Sequence, residues 1–189
     1  AYTEPNAPTS GRSRQLLSLD IWENLKMMKA IQTNLISNHH IQEISLVGYR
    51  MSEDSCRRLN EGVLKSKSLK VFRLNLCIYK PKILEILVPG LSQNLHLEEI
   101  NLAANELNDD CGHMIAKIIQ THQERKDGYV WQYGLRNDKP PGYKMNSLKK
   151  LNLSHNNFTK SSIQEIAHVL GGDIYMRCLD LRANLIETE

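Results

Sequence analysis

Paired cysteines, long apolar runs and an excess of one charge sign are all missing from this chain of 189 residues, and each absence excludes a class of protein. The four cysteines, Cys56, Cys77, Cys111 and Cys178, form no C-x-x-C pair. They read as reduced thiols in a cytosolic protein rather than zinc ligands, redox dithiols or disulfide partners. No apolar stretch approaches the roughly 20 residues of a membrane-spanning helix, and no signal peptide is visible. Lys and Arg number 24 against 21 Asp and Glu, a net charge of +3 that does not announce nucleic acid. No phosphate-cradling G-x-x-x-x-G-K-[ST] loop and no G-x-S-x-G elbow occurs. His39-His40 sits at a junction without Cys or carboxylate at ligand spacing. Cys111-Gly112-His113 is too tight for a zinc site, and His155 and His168 fall at surface or junction positions. Neither an enzyme nor a metal or cofactor site is expected.

What is present is a phrase that repeats. Leu97-Glu98-Glu99-Ile100-Asn101-Leu102-Ala103-Ala104-Asn105-Glu106-Leu107 returns as Leu148-Lys149-Lys150-Leu151-Asn152-Leu153-Ser154-His155-Asn156-Asn157-Phe158. Both fit L-x-x-L-x-L-x-x-N-x-L, the leucine-rich repeat signature. The apolar positions of a short strand point inward. The Asn turns the chain out of the strand, and its amide can bond the backbone of adjacent turns. One copy cannot bury its own apolar face, so copies must stack. Further copies start at Ile41 (with Tyr49 at the turn), at Leu69 (with Cys77 at the turn) and at Met176. A weaker one lies at Leu16, Leu19, Ile21 and Asn24. The first positions 41, 69, 97, 148 and 176 step by 28, 28, 51 and 28 residues, the odd step being one repeat with an insertion of about 23.

A period of 28 leaves room for a full α-helix on the outer side of each turn. Ser52-Glu53-Asp54 starts one, Pro81 suits the first turn of the next, and Asp109-Asp110 favour a third. Ser161 with Gln164, or Ser162 with Glu165, forms a capping box, and Gly171-Gly172 closes that helix. The fold expected is an α/β leucine-rich repeat solenoid, a horseshoe with parallel inner strands and outer helices. Residues 1–14 read as a flexible leader and 15–189 as a single domain. Within it, 15–40 form a cap-like first unit and about 122–146 an inserted loop. The missing initial Met and the final strand without its helix lead us to expect a fragment of a longer protein, monomeric on its own.

Two surfaces offer binding residues. The insertion holds four of the nine Trp and Tyr residues among its basic ones. Arg125, Tyr129, Trp131, Tyr133 and Arg136 therefore either contact a partner or pin the loop to the solenoid's own flank. Strand alternation puts Glu43, Ser45 and Val47 on the concave face. Beside them come Val71, Arg73 and Asn75; Glu99, Asn101 and Ala103; Lys150, Asn152 and Ser154; and Cys178, Asp180 and Arg182. Charge changes sign from repeat to repeat there. Arg73, Asn101, Lys150, Asn152, Asp180 and Arg182 are the contact candidates, against the reading of an ordinary solvated sheet face.

The period is similar to that of ribonuclease-inhibitor-type repeats over 41–189. The insertion adds a narrower likeness. The run Ala116-Lys117-Ile118, then Trp131, Leu135-Arg136, Pro140 and Met145, then Leu148-Lys149-Lys150-Leu151, resembles the repeat domain of the centrosomal protein of seventy-eight kilodaltons family. Met176-Arg177-Cys178-Leu179-Asp180-Leu181 is similar too. That resemblance implies a non-enzymatic protein of the centrosome, centriole and ciliary basal body, acting in centriole duplication or ciliogenesis. Its implied partners are a centriolar polo-like kinase or ubiquitin-ligase components, with neither nucleic acid nor membrane involved. It also implies a coiled coil beyond the repeats, for which this chain holds no heptad tract. A Ran GTPase-activating-protein-like regulator and an actin-capping domain similar to that of tropomodulin are the alternatives.

Overall fold

A computed structural model describes residues 21–136 and 145–186. The leader 1–14, the start of the first unit at 15–20 with its Leu16 and Leu19, the stretch 137–144 of the insertion and residues 187–189 lie outside the described residues. Strands and helices alternate: α1 (Ile21–Ser37), β1 (Glu43–Val47), α2 (Glu53–Lys65), β2 (Val71–Asn75), α3 (Pro81–Gln93) and β3 (Glu99–Asn101). A 3₁₀ turn at Asp109–Cys111 then leads into α4 (Gly112–Val130), followed by β4 (Lys150–Asn152), α5 (Lys160–Leu170) and β5 (Cys178–Asp180). The strands form one parallel sheet in sequence order.

Register follows the repeat. Glu43 lies beside Val71, then Glu99, then Lys150, then Cys178, so each copy of the signature sits on the next even across the inserted stretch. The inward side chains make the core. Leu69, Phe72 and Leu74, Leu97, Ile100 and Leu102, and Leu148, Leu151 and Leu153 are all buried. Ile44 and Leu46 at one end of the sheet, and Leu179 and Leu181 at the other, are only partly buried. That is the expected behaviour of a stack in which each repeat touches only its neighbours.

The turn asparagines stitch repeats together. Asn105 Oδ1 accepts from the backbone N–H of Cys77 at 2.9 Å and of Ile78 at 2.8 Å, while its Nδ2 donates to the carbonyls of Leu74 and Leu102. Asn156 does the same one repeat on, accepting from Asn105 N–H at 3.1 Å and donating to Leu102 and Leu153. Asn184 accepts from Phe158 N–H at 3.1 Å.

α2 starts at a side-chain cap and α3 at a proline. Ser52 Oγ accepts from Ser55 N–H, and Pro81 occupies the first turn of α3. α3 runs through Pro89, which has no N–H to give, and the next N–H, that of Gly90, is taken by Asn60 Oδ1 of α2 at 2.7 Å. A Cβ at Gly90 would stand 2.6 Å from that oxygen, so the approach requires glycine.

Three expectations need correction. Ile21 and Asn24, expected as strand and turn positions of a weaker repeat copy, lie in α1 instead. α5 is capped by Thr159, not by the Ser161 or Ser162 boxes, and Ser162 Oγ instead donates to Asp109. The insertion is also not a loop from 122 onward. α4 continues to Val130, and Trp131–Leu135 adds a π-helical turn. The physical reason is composition: His122-Gln123-Glu124-Arg125-Lys126-Asp127 contains good helix formers and no breaker. Gln120 also bonds Glu124 one turn on at 2.7 Å. His122 is buried, with Nε2 donating to Leu91 O at 2.8 Å, so α4 stays packed on α3 where a loop would have left it.

Candidate protein-binding surface

The concave face is built by β1 to β5, whose outward side chains line up in rows because the register is even. One run of charges crosses four strands. Arg73 pairs with Glu43 on one side and with Glu99 on the other, the Glu99 contact at 2.7 Å. Lys150 stands 3.9 Å from the second oxygen of Glu99. The hydrogen bond to Glu99, ahead of any other cause, raises the Arg73 pKa further. Arg73 is thus a fixed cation whose guanidinium bridges three repeats.

A polar row runs beside it. Asn75 Nδ2 donates to Asn101 Oδ1 at 3.2 Å and to Ala103 O at 2.9 Å. Asn101, Asn152 and Asp180 each accept from the backbone N–H two residues on, at 2.9, 2.9 and 3.1 Å, so the same strand-end cap recurs in three repeats. Arg182 forks onto Asp180, and these hydrogen bonds hold the Asp180 carboxyl down at about 2. Arg73, Asn101, Lys150, Asn152 and Asp180 therefore belong to one continuous face, with Arg182 at its end. Val47, 66% exposed, is the apolar member at the opposite end.

The insertion residues sit elsewhere, on the overhang of α4 in the outer helical layer. Arg125 Nη1 donates to Gln93 O at 2.9 Å, and Lys126 Nζ reaches Met145 O at 2.7 Å, tying the overhang to the ends of α3 and of the insertion. Tyr129 and Tyr133 rings lie 4.9 Å apart, with Lys126 over Tyr129. Arg136 stacks 4.8 Å over Trp131. Trp131 is 55% exposed and Leu135 72%, so this end of the overhang is not pinned flat to the solenoid. The concave candidates and the insertion candidates form two separate surfaces.

The three buried thiols are poor nucleophiles. Burial pushes Cys56 up to about 12 and Cys111 up to about 11, and raises Cys77 as well. Among the described residues no group of three or more His, Cys, Asp or Glu is placed to hold a metal ion, and no helix is long and apolar enough to cross a membrane.

Three features escape sequence reading. The residue before each turn position is left-handed: Gly48, Leu76, Ala104, His155 and Ala183, with φ between 53° and 68°. Gly48 alone hints at it. Asp109 accepts from Thr159 N–H at 2.9 Å, from Thr159 Oγ1 at 2.5 Å and from Ser162 Oγ, which bridges the repeats on either side of the insertion. The third is a groove at the helix ends, taken up below.

Comparison with known proteins agrees with this architecture. The Leucine Rich Repeat family profile matches residues 147–169. No curated protein matches the chain. Among solved structures, the leiomodin-1 actin-binding site 2 is similar, with a TM-score of 0.57 and 16% identity over 91% of this chain and 82% of that one. The tropomodulin C-terminal domain of Caenorhabditis elegans is similar at a TM-score of 0.60 and 12% identity, over 82% of this chain and 81% of that one. This chain has the leucine-rich repeat fold.

Proposed function

We propose that this chain is a non-enzymatic protein-binding module whose concave face receives the partner. The observation that carries this reading is the run Glu43–Arg73–Glu99, held across three strands by mutual pairing, with Lys150 3.9 Å beyond on the fourth. Side chains already fixed lose little further freedom on binding, and alternating charge selects for a complementary pattern.

The finer reading is a partner at the centrosome, centriole or basal body, a centriolar polo-like kinase or a ubiquitin-ligase component. The order of Trp131, Leu135 and Arg136 within the insertion supports it. The second reading is an actin-binding domain, supported by likeness of fold to the leiomodin-1 actin-binding site. Imaging a fluorescently tagged copy in a ciliated cell, beside a centriole marker and a filament stain, separates them. Co-localisation with centrioles, lost in Arg73→Glu, is expected. Filament decoration, with pelleting on actin filaments, selects the second reading, and a diffuse signal contradicts both.

A further inference from the structure

A second charged surface lies away from the concave face, on the edge where the outer helices return the chain to the strands. α2 ends at Lys65 and α3 at Gln93, and between these ends and α4 opens a groove of about 540 Å3. Leu64 and Leu95 form its apolar floor. Lys65, Lys67 and Arg125 wall it, with His96 alongside, and no Asp or Glu is among its described lining residues.

The ends of the two helices absorb only part of these charges. A helix C-terminus carries roughly half a negative charge on its last carbonyls, but here most of those carbonyls already have donors. Ser66 N–H donates to Gly62 O at 3.0 Å, Asn94 Nδ2 to Val63 O at 2.5 Å, and one Arg125 nitrogen to Gln93 O at 2.9 Å. Lys65 pairs with Glu61 at 2.6 Å, which leaves Lys67 and the remaining Arg125 donors to set the sign of the groove. The same edge stays basic further along. The residues just before the strands step from Gln42 to Lys70, Glu98, Lys149 and Arg177 through backbone hydrogen bonds; Lys149 pairs with Glu98, which leaves Lys70 and Arg177 as the excess cations.

An apolar floor between cationic walls fits carboxylates flanking an apolar side chain. We propose that this groove binds an acidic peptide segment of a partner protein, with an apolar anchor on Leu64 and Leu95 and carboxylates on Lys67 and Arg125. His96 is the one aromatic ring among its described lining residues, with no Phe, Tyr or Trp to stack a base. Neither Arg73 nor Asn101 lines the groove, so the inference stands apart from the concave-face reading.

Fluorescence anisotropy tests it with a fluorescein-labelled, glutamate-rich peptide carrying a single leucine, alongside its lysine-rich counterpart. Saturable binding of the acidic peptide alone is expected. Lys67→Glu weakens it about fivefold and Arg125→Gln by a similar factor. Lys82→Gln, on the exposed side of α3, leaves it unchanged, and the melting curve of Lys67→Glu matches that of the parent. Absence of saturable binding overturns the proposal, as does binding indifferent to both groove substitutions. Tighter capture of a single-stranded RNA oligonucleotide, or of phosphatidylserine vesicles, than of the acidic peptide also overturns it.

Discussion

Asn105 shows how much one side chain does in a stacked fold. It is buried, and its two amide atoms serve the backbones of its own repeat and the preceding one. Removing it strands two backbone N–H groups, each costing about 1–3 kcal/mol when left unpaired in the interior. Asn105→Ala is expected to lower the unfolding free energy by about 3 kcal/mol, measured by urea denaturation with an unchanged m-value. Its role was legible, because the signature fixes Asn at that position. The position before it was not. Gly48, Leu76, Ala104, His155 and Ala183 share a left-handed backbone but no chemistry. A non-glycine residue there costs about 1–2 kcal/mol, and Leu76, 58% exposed, recovers little of that by burial. Leu76→Gly is therefore expected to raise stability by about 0.5 kcal/mol once the greater freedom of an unfolded glycine is subtracted. Calorimetric melting reads the gain.

At the scale of elements, the inserted stretch is where sequence and structure part. The helical stripes of α2, α3 and α5 were readable because apolar residues recur on one face. α4 outruns its repeat on polar helix formers that leave no stripe, which is why residues 122–130 looked like a loop. The array closes over this interruption partly through Asp109, held by Ser162 and Thr159 on the far side. These hydrogen bonds, that of Ser162 foremost, depress the Asp109 carboxyl to about 2. A carboxyl depressed on folding contributes stability above its unfolded value near 4, and that contribution is lost as pH falls from about 4 to about 2. Asp109→Ala should melt earlier than the parent at neutral pH, with the gap between the two narrowing across that acid window. The overhang itself behaves differently. Trp131→Ala with Tyr133→Ala is expected to change stability by no more than about 0.5 kcal/mol, since Trp131 is half exposed. A larger loss on thermal melting would show that the aromatics hold the solenoid together.

Across the whole molecule, the recurring template implies the order of the strands and their register even where an insertion lengthens one repeat. Glu43, Val71, Glu99, Lys150 and Cys178 fall side by side because the same template was laid five times. Strand alternation likewise picked out the concave row containing Arg73, Asn101, Lys150, Asn152 and Asp180. It did not show that Arg73 would be clamped between two carboxylates, since pairing depends on rotamers and not on spacing. The basic groove was hidden for another reason: Lys67, His96 and Arg125 come from three repeats, and no local pattern connects them. The account's central claim is that the concave face meets a protein. Site-directed photo-crosslinking in cells tests it most directly, with a photoreactive amino acid placed at Asn101 on that face and, in a separate copy, at Glu85 on the exposed side of α3. The account predicts a discrete protein adduct from the Asn101 position that disappears when Arg73→Glu is added, and none from Glu85. Adducts from Glu85 with none from Asn101 would contradict it.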